Sequence, residues 1–248
     1  MTNRSIPEQD LARIAPMGRD EKRAALQRLK KGWPPYSYSH VRNAFGSILN
    51  LKVGLFPDAE KIPLDAILAG IKDSCRKERN FEDAYKANAE VAKCLRSFAD
   101  REEIIGRPHD FIPISIGTSR KLCYWSPMVL QLRSQTCVPL LDVRKVEKLT
   151  VDAKRFAFST MHQRIREGNP DFADVNLAII TLSAGRNKKR VANFEFADQY
   201  DLFSYAQLDQ MVRETYEIWN DIWSERAAQA KEEASSDSNL GPLFANIA

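Results

Sequence analysis

The chain has 248 residues, 44% apolar and 28% charged, with a formal net charge of +4. That is length for one large domain or two small ones around a proper core, in a composition ordinary for soluble globular proteins. No stretch nears the roughly 18 apolar residues of a membrane-spanning helix, and the first seven residues lack the apolar run of a secretory leader.

Four cysteines, Cys75, Cys94, Cys123 and Cys137, are scattered without a CxxC pair. Free thiols in a cytoplasmic setting are therefore expected, and a zinc or iron–sulfur site is not. The charge is unevenly placed. Residues 191–248 hold eleven acids against three bases, a net −8, which leaves +12 on residues 1–190. An acidic end on a basic body fits nucleic-acid binding by the body, and equally a solvated acidic helix.

The first hundred residues read as helical. Asp20 can cap a helix over 21–31, stopped by Gly32 and Pro34-Pro35. Lys30 and Lys31 close it, and Trp33, Tyr36, Tyr38 and His40 follow, a mix of cations and aromatics able to grip phosphates and stack bases. The alternative reading is aromatics anchoring a loop to the core. Further helices are expected over 39–51, 65–76 and 81–98.

Near Arg107-Pro108 the period changes. Short strands are predicted over 111–116, 122–125, 128–133 and 137–143, as a meander with tight turns. Cys123 and Cys137 flank its hairpin as cross-strand neighbours would. A helix over 150–166 buries Val151, Phe158, Met161 and Ile165. Residues 175–182 are almost continuously apolar, which suits a strand covered on both faces. A turn at 183–189 leads to an alternating strand over 190–196. A final helix over 204–230 carries Leu208, Met211, Val212, Trp219, Ile222 and Trp223 on one stripe. Residues 231–248 read as a flexible acidic tail.

The expected fold is thus α/β, a mixed β-sheet flanked by helices, divided as a helical lobe at 1–106, an α/β core at 107–230 and the tail. Within the core, Leu140-Leu141-Asp142-Val143-Arg144-Lys145 delivers one carboxylate and two cations at the end of an apolar strand. In that setting the order of elements over about 108–228 resembles the PD-(D/E)XK nuclease superfamily, RecB-like branch. The resemblance implies a restriction-endonuclease-like core with Asp142 and Arg144 at the site and Gln163, on the crossover helix, toward substrate. It also implies magnesium or manganese as cofactor if the chain cuts nucleic acid.

The motif is incomplete. No Asp or Glu lies between Phe111 and Leu141, and Arg144 replaces the family lysine. Arginine stays protonated and transfers protons poorly. Asp110, Glu102 or Glu103 could reach in from the preceding segment, and Glu147 or Gln163 could join from the helix side. No phosphate loop, nucleophile elbow or HExxH pair is present.

Three functions follow. The first is a catalytically degenerate nuclease-like protein that binds DNA or RNA or regulates it, needing no metal or cofactor, with Arg186, Lys188, Lys189, Arg190, Lys30 and Lys31 on phosphate. The second is a protein-interaction module, such as an antitoxin, immunity or assembly subunit of a bacterial defence or mobile-element system, meeting its partner through the acidic C-terminal helix. The third is an active magnesium-dependent nuclease with a migrated carboxylate.

Overall fold

The structure, a computed structural model, describes residues 6–29, 38–52, 61–117, 120–144, 148–185 and 189–238. In chain order they form α1 (Glu8–Ile14), α2 (Arg19–Arg28), the short α3 (Ser39–Asn43) and α4 (Phe45–Ile48), α5 (Leu64–Cys75) and α6 (Phe81–Arg101). Next come β1 (Ile105–Pro108), β2 (Ile114–Ile116), β3 (Arg120–Leu122), β4 (Met128–Leu132) and β5 (Gln135–Asp142). Then follow α7 (Val151–Met161), which runs into a π-helical turn (His162–Arg166), β6 (Asn176–Ala184), β7 (Arg190–Phe196) and α8 (Tyr205–Ser238). The fold is mixed α/β. Its five-stranded sheet has the order β1-β4-β5-β6-β7, with β5 and β6 parallel and every other pairing antiparallel.

Side-chain alternation on the central strands feeds two cores. Val138, Leu140, Leu177 and Ile179 face α1, α2, α7 and α8; Cys137, Leu141, Val143, Ala178, Ile180 and Leu182 face α3 to α6. Full burial of one such side chain is worth about 1.5–3 kcal/mol. The N-terminal helices therefore divide between the two faces of the sheet.

Several expectations change. Helix α1, absent from the sequence reading, packs against α7. Gly18, not Asp20, is the N-cap of α2, its N–H 3.4 Å from Glu21 Oε2. The four-strand meander does not form: β2 and β3 pair as a separate two-stranded sheet, and β1 takes the edge beside β4. Cys137 lies opposite Leu130, not Cys123. Helix α8 runs on through residues 231–238, which composition assigned to the tail, because Ala and Glu there are strong helix formers.

Both sheet edges are guarded. At β1, Lys52 N donates to Gly106 O (2.9 Å), and a Cβ on Gly106 would sit 2.5 Å from Leu130 Cδ2 and 2.8 Å from Val129 O. At β7, Arg101 Nη2 donates to Ala192 O (3.1 Å), occupying an acceptor that a foreign strand would otherwise use.

The β4–β5 turn is Arg133-Ser134, both at positive φ (47° and 67°), as in a type I′ hairpin but without glycine. Arg133 is held by Glu102 through Nε–Oε2 (2.6 Å) and Nη2–Oε1 (3.3 Å), and Arg101 Nε adds a bond of 2.9 Å. The bond from Arg133, then that from Arg101, draws the Glu102 carboxyl below its ordinary value of 4.5. A carboxylate depressed in the folded state adds stability above that value and loses it as pH falls through the folded one. Glu102→Gln is therefore expected to lower the melting temperature at pH 7, with the difference from the parent chain closing as pH drops below 4.5.

The β2–β3 hairpin docks on α8 through Gly117, whose φ is +72° and whose N–H donates to Asp209 Oδ1 at 2.8 Å. A Cβ there would lie 2.6 Å from Val212 Cγ1. Gly117→Ala should cost about 1–3 kcal/mol in urea unfolding. Combined with Val212→Ala, which opens that contact, it should cost less than the sum of the two single changes.

Candidate functional site

Open α/β sheets place ligand sites outside the carboxyl ends of parallel strands, and Asp142 is the last residue of β5. Its side chain is on the face shared with α1 and is 1% exposed. It accepts from Arg144 N (3.2 Å), Leu149 N (3.4 Å) and, more distantly, Gln9 Nε2 (3.5 Å). A carboxylate so held ties down the two ends of a loop.

Arg144 lies past the strand end, so strand alternation does not aim it at Asp142. Its guanidinium turns to Asp10 Oδ1 on α1 (3.0 Å), which Arg13 also approaches at 3.8 Å. Arg42 stands nearby, held below its ordinary pKa by burial first and then by Arg144, while Glu8 and Asp142 oppose the shift. Burial pushes Glu8 up, against the bond it accepts from Cys123 N (3.1 Å). Cations and acids balance in this ionic joint, which fastens α1 to the end of β5 with Arg42 of α3 beside it. Among the described residues no three of His, Cys, Asp and Glu gather as metal ligands.

The other residues singled out from sequence do not converge on Asp142. Gln163 lies in the π turn, and α7 starts at the Asp142 end, so thirteen residues of helical rise separate it from Thr150, about 20 Å. Glu102 pairs with Arg133 at the far end of β5. Arg190 points inward, its side chain 6% exposed: Nη1 donates to Val143 O (2.8 Å), Nη2 to Tyr38 Oη (2.9 Å), and Nε is 3.6 Å from Glu90. Lys189 is exposed. Lys30, Lys31, Arg186 and Lys188 lie outside the described residues.

The acidic α8 meets the chain's own cations. Glu214 pairs with Arg19 and with Lys22, which is 2% exposed, and Glu225 pairs with Arg23. The joint residues Glu8, Gln9, Asp10 and Arg42 escaped the sequence reading. The one local signal was Pro7 followed by acids in a first helical turn.

Comparison with known proteins gives a different kinship from the one the Asp142 strand suggested. The family model for the sliding clamp-binding bacterial toxin SocB matches residues 9–229. The DNA replication inhibitor toxin SocB of Caulobacter vibrioides (strain NA1000 / CB15N) is 31% identical over 238 residues, covering 96% of this chain and 98% of that protein. No solved structure matches.

The PD-(D/E)XK resemblance is thereby overturned, and with it the nuclease and nucleic-acid-binding readings. An apolar strand ending in Asp, followed by a crossover helix, is shared by many α/β folds, and here the acid anchors a loop. Removing it should leave the buried Leu149 amide and the half-buried Arg144 amide without an acceptor. Asp142→Ala is expected to cost about 2–4 kcal/mol in urea unfolding, and Asp142→Asn, which keeps one acceptor oxygen, clearly less.

Proposed function

The chain belongs to the SocB family of sliding clamp-binding bacterial toxins, and we propose that it binds a sliding clamp and thereby inhibits DNA replication. The observation that carries this reading is the near end-to-end match to a replication-inhibitor toxin, 96% of one chain against 98% of the other. Among the readings made from sequence, the protein-interaction one fits best. Its antitoxin, immunity or assembly role gives way to that of a toxin.

The physical requirement is modest. Inhibition by occupancy needs a surface that the partner's other ligands also need, held with a dissociation constant below the working concentration. A stable interface of this kind buries about 1,200–2,000 Å² in total. It needs no reacting group, and the acid at the end of β5 already accepts from two loop amides. No helix among the described residues is long and apolar enough to cross a membrane.

The test is direct. Purified chain mixed with sliding clamp should co-elute as a complex on size exclusion, and titration calorimetry should give a saturable isotherm. Expression in a bacterial host should arrest DNA synthesis, and surplus clamp should relieve the arrest by mass action. Absence of a complex at micromolar concentrations, or arrest indifferent to surplus clamp, would overturn the reading.

A further inference from the structure

Lys22 is 2% exposed, and a buried ammonium needs acceptors for its N–H donors. Among the described residues it has one, Glu214 Oε2 on α8. That carboxylate is shared. Its other oxygen takes Arg19 at 3.4 Å, so one acid serves two cations. The bond from Lys22, with Arg19 behind it, holds the Glu214 carboxyl below its ordinary value.

The neighbouring acids are turned elsewhere. Asp20 and Glu21, in the same first turn of α2, are exposed, and Glu21 stands 3.4 Å from Gly18 N. Asp10 is engaged by Arg144 and Arg13, Asp209 by Arg213 and the Gly117 amide, and Glu217 is exposed. Lys22 therefore keeps donors that the fold leaves without an acceptor.

Those donors border a groove. Between the α1–α2 corner and α8 lies a cavity of about 300 Å³, the small end of ligand sites. Lys22 and Glu214 line it together with Pro16, Met17 and Met211. Both methionines also lean on the core, which fixes the apolar wall while their thioethers adapt to the shape of what they meet. Gln207 lines the α8 side. Its Oε1 accepts from Ser204 N at 2.8 Å as part of the helix cap, which leaves its amide NH₂ to donate. The groove thus sets donors beside carbon and sulfur. Its complement is an acceptor-rich head on a short apolar body. A carboxylate accepts from an ammonium and an amide together, and gives Lys22 the acid that Glu214 divides with Arg19. A phosphate dianion would crowd Glu214, and an alcohol brings no charge.

We propose that this groove binds a small organic carboxylate, with Lys22 and Gln207 on the carboxylate and Met17 and Met211 against its apolar body. The proposal is independent of the clamp-binding reading.

Thermal unfolding of the full-length chain at pH 7 and fixed ionic strength, in rising concentrations of hexanoate, tests it. Hexanoate should raise the melting temperature along a saturable curve, as a ligand of the native state does. Acetate or hexanol at equal concentration should do markedly less. Gln207→Glu keeps the capping bond and places an acid where a helix start favours one, so folding holds. It exchanges the amide donor for a negative charge and should weaken hexanoate about tenfold. Lys22→Met, close in shape, should abolish the effect; if that variant does not fold, Gln207→Glu carries the test. No shift with hexanoate, a shift matched by hexanol, or one unchanged in Gln207→Glu would each overturn the assignment.

Discussion

Covering β5 and β6 on both faces is the demand around which this chain is arranged. The parallel pair needs a crossover, which α7 supplies, and apolar side chains that alternate to both sides, so helices must come from two directions. Helices α1 and α2 close one face with α7 and α8; α3 to α6 close the other. The strand ends then require polar closure, because a buried chain end leaves amides without partners. Asp142 meets that need at one end of β5. At the other, Glu102 between Arg101 and Arg133 holds a turn whose two residues both have positive φ.

Regular periodicity made the long elements readable from sequence. The apolar run at 175–182 and the alternation at 190–196 appear as β6 and β7, and the stripe from Leu208 to Ile222 as the buried side of α8. Short elements carried too little signal. Helix α1 has seven residues, too few to show a helical repeat, and β1 reads Ile-Gly-Arg-Pro, two of whose four residues usually mark a break. Strand pairing was harder still. Residues 114–116 pair with β3 in their own sheet, and Gly117 after them settles against Val212, a contact between segments ninety-odd positions apart.

The Asp142 position could be located from sequence, but its role could not. A strand ending in Asp presents a carboxylate either to a cleft or to the amides of its own following loop, and the residue string is the same in both cases. The charge count misled for a related reason. A surplus of +12 on residues 1–190 says nothing about which cations already have partners. Lys22 is buried against Glu214. Arg190 ties the ends of β5 and β7 to α3 and α6, and Arg96 donates to the carbonyls of Ser47, Ile48 and Ile62. Much of the basic body joins helices to one another, and the acids of α8 are its counterpart.

Perturbed ionisation tells the same story from another side. Groups tuned for chemistry usually cluster in one cleft. Here one group of shifts, on Glu8, Arg42, Cys123 and Tyr124, gathers where α1 meets the end of β5, and others lie far from it. Glu102 is lowered by arginines at the β4–β5 turn, Glu214 by Lys22 between α2 and α8, and Asp209 by Arg213 where the hairpin docks. The thiols of Cys123 and Cys137 are pushed up to about 11 and about 12 by burial. Most of these shifted charges hold the scaffold together.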